Sequence, residues 1–360
     1  MRATRRGFLA GLLATGSVPA LGWAAAGSPG YLAAAQERDG TYALYGLTDA
    51  GERVFHIPLP ARGHAGAGHP HRAEAVAFAR RPGRFAIVLD CVGGRVLHTL
   101  TPPEGRVFNG HGVYVDDGAT LLTAEQRIDD SAGRIGVWNV AAGYTRRGEL
   151  DSHGIGPHDI KQLPDGTLAV ANGGIATDVE DREKLNIDSM RPNLSYIDAE
   201  GTLLDQVELS RDLHQNSIRH LALGPDGLVG FAMQWEGDSG DVPPLLGLHR
   251  RGAEPILAEA GPEQIMMQNY AGSIAITDGP AGAEVAITSP RGGLLHRYTT
   301  DGTFLGAVHR ADICGLAEAG DGFLASDGLG GLIALRGGQP RALAKTEQAW
   351  DNHLVRLPLA

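Results

Sequence analysis

Residues 158–174 read HDIKQLPDGTLAVANGG: a histidine, a short apolar alternation, a Pro-Asp-Gly turn and a second apolar strand. That is hairpin chemistry. The arrangement recurs in HRAEAVAF from His71, HGVYVDDGATLLTAEQ from His111 and HLALGPDG from His220. Degenerate copies follow in GSIAITDGPAGAEVAITSP (272–290) and CGLAEAGDGFLASDG (314–328), each succeeded by further short strands. Units starting at about 71, 111, 158, 218, 272, 313 and 352 have the spacing of a four-stranded propeller blade, roughly 40–50 residues, stretched by insertions. Residues 31–59 supply three strands lacking a first, and the segment beginning at His353 supplies a first strand lacking the rest. Joined, they complete a seventh blade and hide the sheet edges. The fold expected is all-β, a seven-bladed β-propeller closed by its N- and C-terminal strands, in a single domain over 27–360.

The composition agrees. Glycine is 52 of 360 residues, about twice average usage, and aromatics are only 6 %, so tight turns and a Val/Leu/Ile/Ala core are expected. Residues 1–26 read as a leader. Thr4-Arg5-Arg6-Gly7-Phe8-Leu9 is a twin-arginine pattern, and an apolar stretch and the small-residue run Ala24-Ala25-Ala26 follow it. This predicts a Tat signal peptide cleaved near Ala26 and a periplasmic protein. No later stretch is long and apolar enough to span a bilayer. Removing Arg2, Arg5 and Arg6 takes the net charge from −11 to −14, which argues against nucleic acid or anionic membranes as partners. A monomer is expected. Cys91 and Cys314 occupy different positions in different repeats, so no disulfide is expected between them.

In a meander blade the first strand begins, and the second ends, on one face. The starts His71, His111, His158, His220, Ser273, Cys314 and His353 should therefore meet the second-strand ends Asp90, Glu125, Asn172, Gln234, Ser289, Asp327 and Glu37 at one mouth of the axial funnel. Insertions at 174–193 and 235–244 fall on the same face and are expected to cover it. In-register imidazoles suit iron, copper or zinc, and flanking carboxylates hold and tune such ligands. The expected metal set is His71, His111, His158, His220 and His353. Asp90 is placed behind His71 and Glu125 behind His111, with Asn172, Gln234 and Asp327 around them, Cys314 as a soft donor, and Met190 and Met233 as thioether donors. Arg72 and Arg219 flank two of the histidines, so the ring is also open to an anionic ligand, and a purely structural, strand-bridging role is a further alternative. His64 and His69 are placed in a loop before the first blade, and His98, His249 and His296 on third strands away from the axis.

Enzyme motifs are scarce: there is no GxSxG, HExxH, P-loop or CxxCH. Glu125, Asn172 and Asp327 admit a calcium-dependent lactonase reading, although histidines suit a softer metal better. Three functions stay open: a metal-binding accessory to iron or copper uptake, a metal-dependent hydrolase or oxidoreductase on the same ring, and a protein-interaction scaffold.

The runs NGHGVYVDDGATLLTAEQ (109–126), GIGPHDIKQLPDGTLAVANGG (154–174), KLNIDSMRPNLSYID (184–198), NSIRHLALGPDG (216–227) and MQWEGD with PPLLGLH (233–249) resemble the uncharacterised bacterial family called domain of unknown function 1513, over almost the whole mature chain. The resemblance implies export, often through a Tat signal. It also implies a gene setting beside imelysin-like proteins and a di-haem oxidoreductase, which suggests periplasmic iron or metal acquisition with imelysin-type uptake proteins as partners. It implies no catalytic residues.

Overall fold

In the computed structural model, which describes residues 21–80, 85–178, 183–279 and 282–357, seven four-stranded antiparallel sheets form a ring. The innermost strands are Gly63–Gly68, Arg106–Val115, Pro157–Gln162, Asn216–Leu223, Ser273–Gly279, Ile313–Glu318 and Ala349–Arg356. Each packs against the inner strand of the next blade, and the last returns to the first. We number the blades 1 to 7 in that order. Blade 7 is the expected composite: Ala349–Arg356 pairs with Tyr31–Gln36, followed by Tyr42–Leu47 and Arg53–Leu59.

The core lies between blades. Second strands are apolar on both faces because a neighbouring blade covers each side; Leu168–Asn172 is buried at every position. Tyr196 and Leu194 of blade 3 pack with Phe231 and Val229 of blade 4, all fully buried, at roughly 1.5–3 kcal/mol per large side chain. Met233 sits in that cluster and Met190 is buried as well, so neither serves as an axial donor. Cys91 and Cys314 are both free and buried.

Blade 1 corrects the expected frame. Its inner strand is Gly63–Gly68 (GHAGAG), and the apolar run Glu74–Ala79 is the second strand. His71 lies in the connection between them, Asp90 ends the third strand and His98 is on the fourth. The sequence reading slipped by one strand because Gly63–Gly68 has no β-branched or aromatic residue and scores poorly as a strand. Inter-blade packing overrides that preference.

Residues 1–20 of the expected leader lie outside the described residues. Residues 21–26 belong to the packed molecule. Trp23 is buried with Leu32, Ala75 and Leu357, its indole Nε1 donates to the carbonyl of His69 (2.9 Å), and Ala73 N–H donates to Leu21 O. No helix among the described residues is long and apolar enough to cross a membrane.

Candidate metal centre

Six inner strands carry a β-bulge, and five of these carry a histidine at or beside it. The pairing shifts between Gly63 and Gly66 around His64, between Phe108 and Gly112 around His111, between Pro157 and Asp159 at His158, and between Ile218 and His220. In blade 7 it shifts opposite Ala33 and Ala35, where Trp350–Leu354 spans His353. A bulge breaks the alternation of a strand and re-aims a side chain, here toward the axis. Blade 5 pairs without interruption over Ser273–Gly279 and contributes no imidazole. Blade 6 has its bulge between Ile313 and Leu316, but Cys314 turns away: its Sγ faces Ser326 Oγ and the carbonyls of Trp350 and Asp351. Burial pushes that thiol up to about 12, so it is no soft ligand.

The five rings close on one another. Successive centroids are 4.9 Å apart for His64–His111, 4.7 Å for His111–His158, 4.7 Å for His158–His220, 4.7 Å for His220–His353 and 4.6 Å for His353–His64. His111, His158, His220 and His353 are only 5, 8, 4 and 8 % exposed. The ligand atoms of His64, His111 and His353 lie within 4.8 Å of one another, as do those of His111, His158 and His220. Imidazole nitrogens about 2.1 Å from one ion are at most about 4.2 Å apart, so small side-chain rotations suffice to gather either triad.

One nitrogen of each ring is buried without a hydrogen-bond partner: Nδ1 of His64 and His220, and Nε2 of His111, His158 and His353. Each such atom costs about 1–3 kcal/mol when left unsatisfied, and five in one place fit a shared cation better than a packing role. Burial first, and then the neighbouring rings, hold His64, His158, His220 and His353 well below the usual histidine range. They are neutral imidazoles, the form that donates a lone pair.

The carboxylate behind the cluster is Asp159. Its Oδ1 lies 3.5 Å from His111 Nδ1 and 3.5 Å from Lys161 Nζ, and its Oδ2 accepts from Leu221 N–H at 3.0 Å. Burial would raise its pKa, but Lys161, His111 and that N–H outweigh burial and keep it ionised, far below the usual range. With the proton on Nδ1 facing Asp159, His111 presents Nε2 to the cluster, the arrangement that fixes a metal-ligand tautomer.

Several expected residues stand elsewhere. His71 has 59 % of its side chain exposed and pairs with Asp117 at 2.5 Å, away from the cluster; His64 takes its place. Asp90 caps a turn through Val92 and Gly93 N–H and pairs with Arg95. Glu125 is fully buried but binds Thr123 and, bidentately, Arg146 of its own blade. Asn172 donates to Ser152 O and Asn193 Oδ1. Asp327 accepts from Leu329 and Gly331 N–H and pairs with Arg310. The lactonase trio is thus spread over three blades, each residue held by partners of its own or the preceding blade. Arg72 pairs with Glu74. His69 accepts from His71 and Arg72 N–H, while His249 and His296 bond to Tyr196 and Tyr298 in the blades.

The imidazoles form a floor between two axial cavities. One, of about 310 Å³, is lined by His111, Asp159, Lys161, His220 and His353 among small residues such as Ala65 and Ser273. The other, of about 240 Å³, lies on the face of the two long insertions and reaches His64, His158 and His220. Gln234 and Arg219, both expected at the funnel, line this second cavity with Thr177 and Lys184 of the 174–193 insertion.

In fold, the chain is similar to the Kuenenia stuttgartiensis hydrazine synthase, with a TM-score of 0.57 at 13 % identity, covering 88 % of this chain and 96 % of that one. Comparison with curated proteins gives no significant match. The family model described as protein of unknown function (DUF1513) matches residues 57–357, and the chain belongs to that family.

Proposed function

We propose that this propeller binds one transition-metal ion on its axis and serves periplasmic iron or copper handling, as an accessory to uptake by imelysin-type proteins. The observation that carries the reading is the closed set of five imidazoles, each with one buried, unpartnered nitrogen. His111 belongs to both candidate triads and is backed by Asp159; it is the anchor, and the ion is shared with His64, His158, His220 and His353 around it. All-nitrogen donors favour copper, zinc, iron or nickel over calcium or magnesium. A bound ion would supply Lewis acidity and, for iron or copper, electron exchange. The protein's part is to hold neutral imidazoles in place, fix the His111 tautomer and leave a cavity open on either side.

Cobalt(II) titration tests this directly. The protein should develop a visible d–d band saturating at one equivalent, and His111→Ala should abolish it while keeping the wild-type circular dichroism. A band unchanged by His111→Ala would overturn the reading.

Export through the twin-arginine signal is part of the proposal, with one refinement. Trp23 and Ala26 are buried in the fold, so cleavage after Ala26 would strip a core side chain. Val18-Pro19-Ala20 offers a small-residue site just upstream. The mass of the exported protein should correspond to a start at Leu21. A start at Gly27 would show that the Trp23 packing is dispensable.

A further inference from the structure

The cavity on the insertion face carries a charge opposite to that of the chain. Arg80, Lys184, Arg219 and Arg291 line it, and Glu236 is the one carboxylate among its described lining residues. Glu236 pairs with Lys184 and lies 3.6 Å from Arg219. Arg80 lies 3.6 Å from Asp351, which Arg62 holds at 2.7 Å. Among the described residues, counting Arg62 and Asp351 with the lining gives five cations against two carboxylates, on a protein of net charge −11. Arg291 is stacked on Tyr270 at 4.3 Å from the ring centroid, and Tyr270 Oη accepts from Asn352 Nδ2. That stacking orders one guanidinium at the cavity wall without neutralising it. Asn109 adds a buried Oδ1 with no partner, and Gln234 an amide anchored through Nε2 to Ala271 O. Guanidinium forks gathered around a small enclosure recognise carboxylate or phosphate oxygens bidentately. A volume of 240 Å³ holds about eight waters at roughly 30 Å³ each, the size of a compact di- or tricarboxylate or a small phosphate compound.

We propose that this cavity is a binding site for a small polyanion, held by Arg80, Lys184, Arg219 and Arg291 with its oxygens toward His64, His158 and His220. Held there, the anion faces the imidazoles from the open side. Its further role as an oxygen donor to the ion rests on the metal reading above; its binding does not.

The probes are citrate and inorganic phosphate, titrated calorimetrically into metal-free and metal-loaded protein at low chloride. At least one should bind 1:1 to the metal-free protein, and binding should weaken as salt is raised. It should also weaken at least tenfold in Arg219→Gln/Arg291→Gln, and in Arg291→Gln alone, where Arg291 is exposed and its loss leaves the core untouched. Citrate alone binding marks the site as one for polycarboxylates, phosphate alone as one for phosphate compounds. The metal content of both variants should equal that of wild type. Neither probe binding at millimolar concentration, or binding unaffected by the substitutions, overturns the proposal and leaves the metal reading standing. Anion binding by a protein that takes up no metal does the reverse.

Discussion

Replacing His158 by leucine separates a metal ligand from a packing residue by the sign of the effect. His158 is 8 % exposed, its Nε2 has no hydrogen-bond partner, and burial with the neighbouring His111 and His220 rings keeps it uncharged. In metal-free protein it is therefore a cost. Leucine, of similar bulk, removes the unsatisfied nitrogen, so the variant should be as stable as wild type or more stable, by up to about 1–3 kcal/mol. Loaded with metal, wild type gains what the variant cannot: an ion present at a hundredfold excess over its dissociation constant stabilises wild type by about 2.7 kcal/mol, and the variant should forfeit most of that. Urea unfolding of the metal-free and zinc-loaded proteins gives both quantities. A metal-free variant destabilised by more than about 1 kcal/mol, with a zinc-induced gain equal to wild type, would refute the reasoning and make His158 a packing residue rather than a ligand.

The frame shift in blade 1 yields a paired comparison: His64→Ala should lose metal, whereas His71→Ala should keep full metal content and change stability by less than about 1 kcal/mol, since its one pair with Asp117 is exposed. Metal stoichiometry that follows His71 would contradict the placement. Gly110 has φ +94°, and a Cβ there would lie 2.8 Å from His64 Cδ2; Gly110→Ala should cost at least about 1 kcal/mol and lower metal affinity by displacing that ring, seen in the same cobalt titration. His69 gives the pH dependence. Its pKa falls from 6.5 to about 4, chiefly by burial and then by Arg72, while Nδ1 accepts two backbone N–H groups. The folded-state pKa is depressed, so its contribution is complete above pH 6.5 and is lost as pH falls from 6.5 toward 4, at up to about 1.4 kcal/mol per pH unit. His69→Asn keeps an acceptor without the titration and should flatten that part of the stability curve; parallel curves would refute the assignment.

Ring closure was legible because the PDG-type turns and the orphan strands at both termini repeat a pattern that local chemistry enforces. Four of the five clustered histidines were legible for the same reason. His64 was missed because GHAGAG looks like a loop. The spacing could have found it: His64, His111 and His158 are each 47 residues apart, whereas His71 breaks that interval. The flanking acids were misplaced for a different reason. Strand alternation points residues at predictable faces only while pairing is regular, and the bulges break it where the site is built. Thus Glu125 turned to Arg146, and Asp159, adjacent in sequence to His158, came to stand behind His111 of the neighbouring blade. The cations of the upper cavity were likewise hidden, because Arg80, Lys184 and Arg291 come from connections whose ends meet only when the ring closes.

The most direct test of a metal on the axis is elemental analysis of protein exported through its own signal, beside a His111→Ala/His158→Ala variant. The account predicts about one iron, copper or zinc ion per wild-type chain and none in a variant that remains folded. A wild-type protein that carries no transition metal and takes up none when it is offered would contradict it.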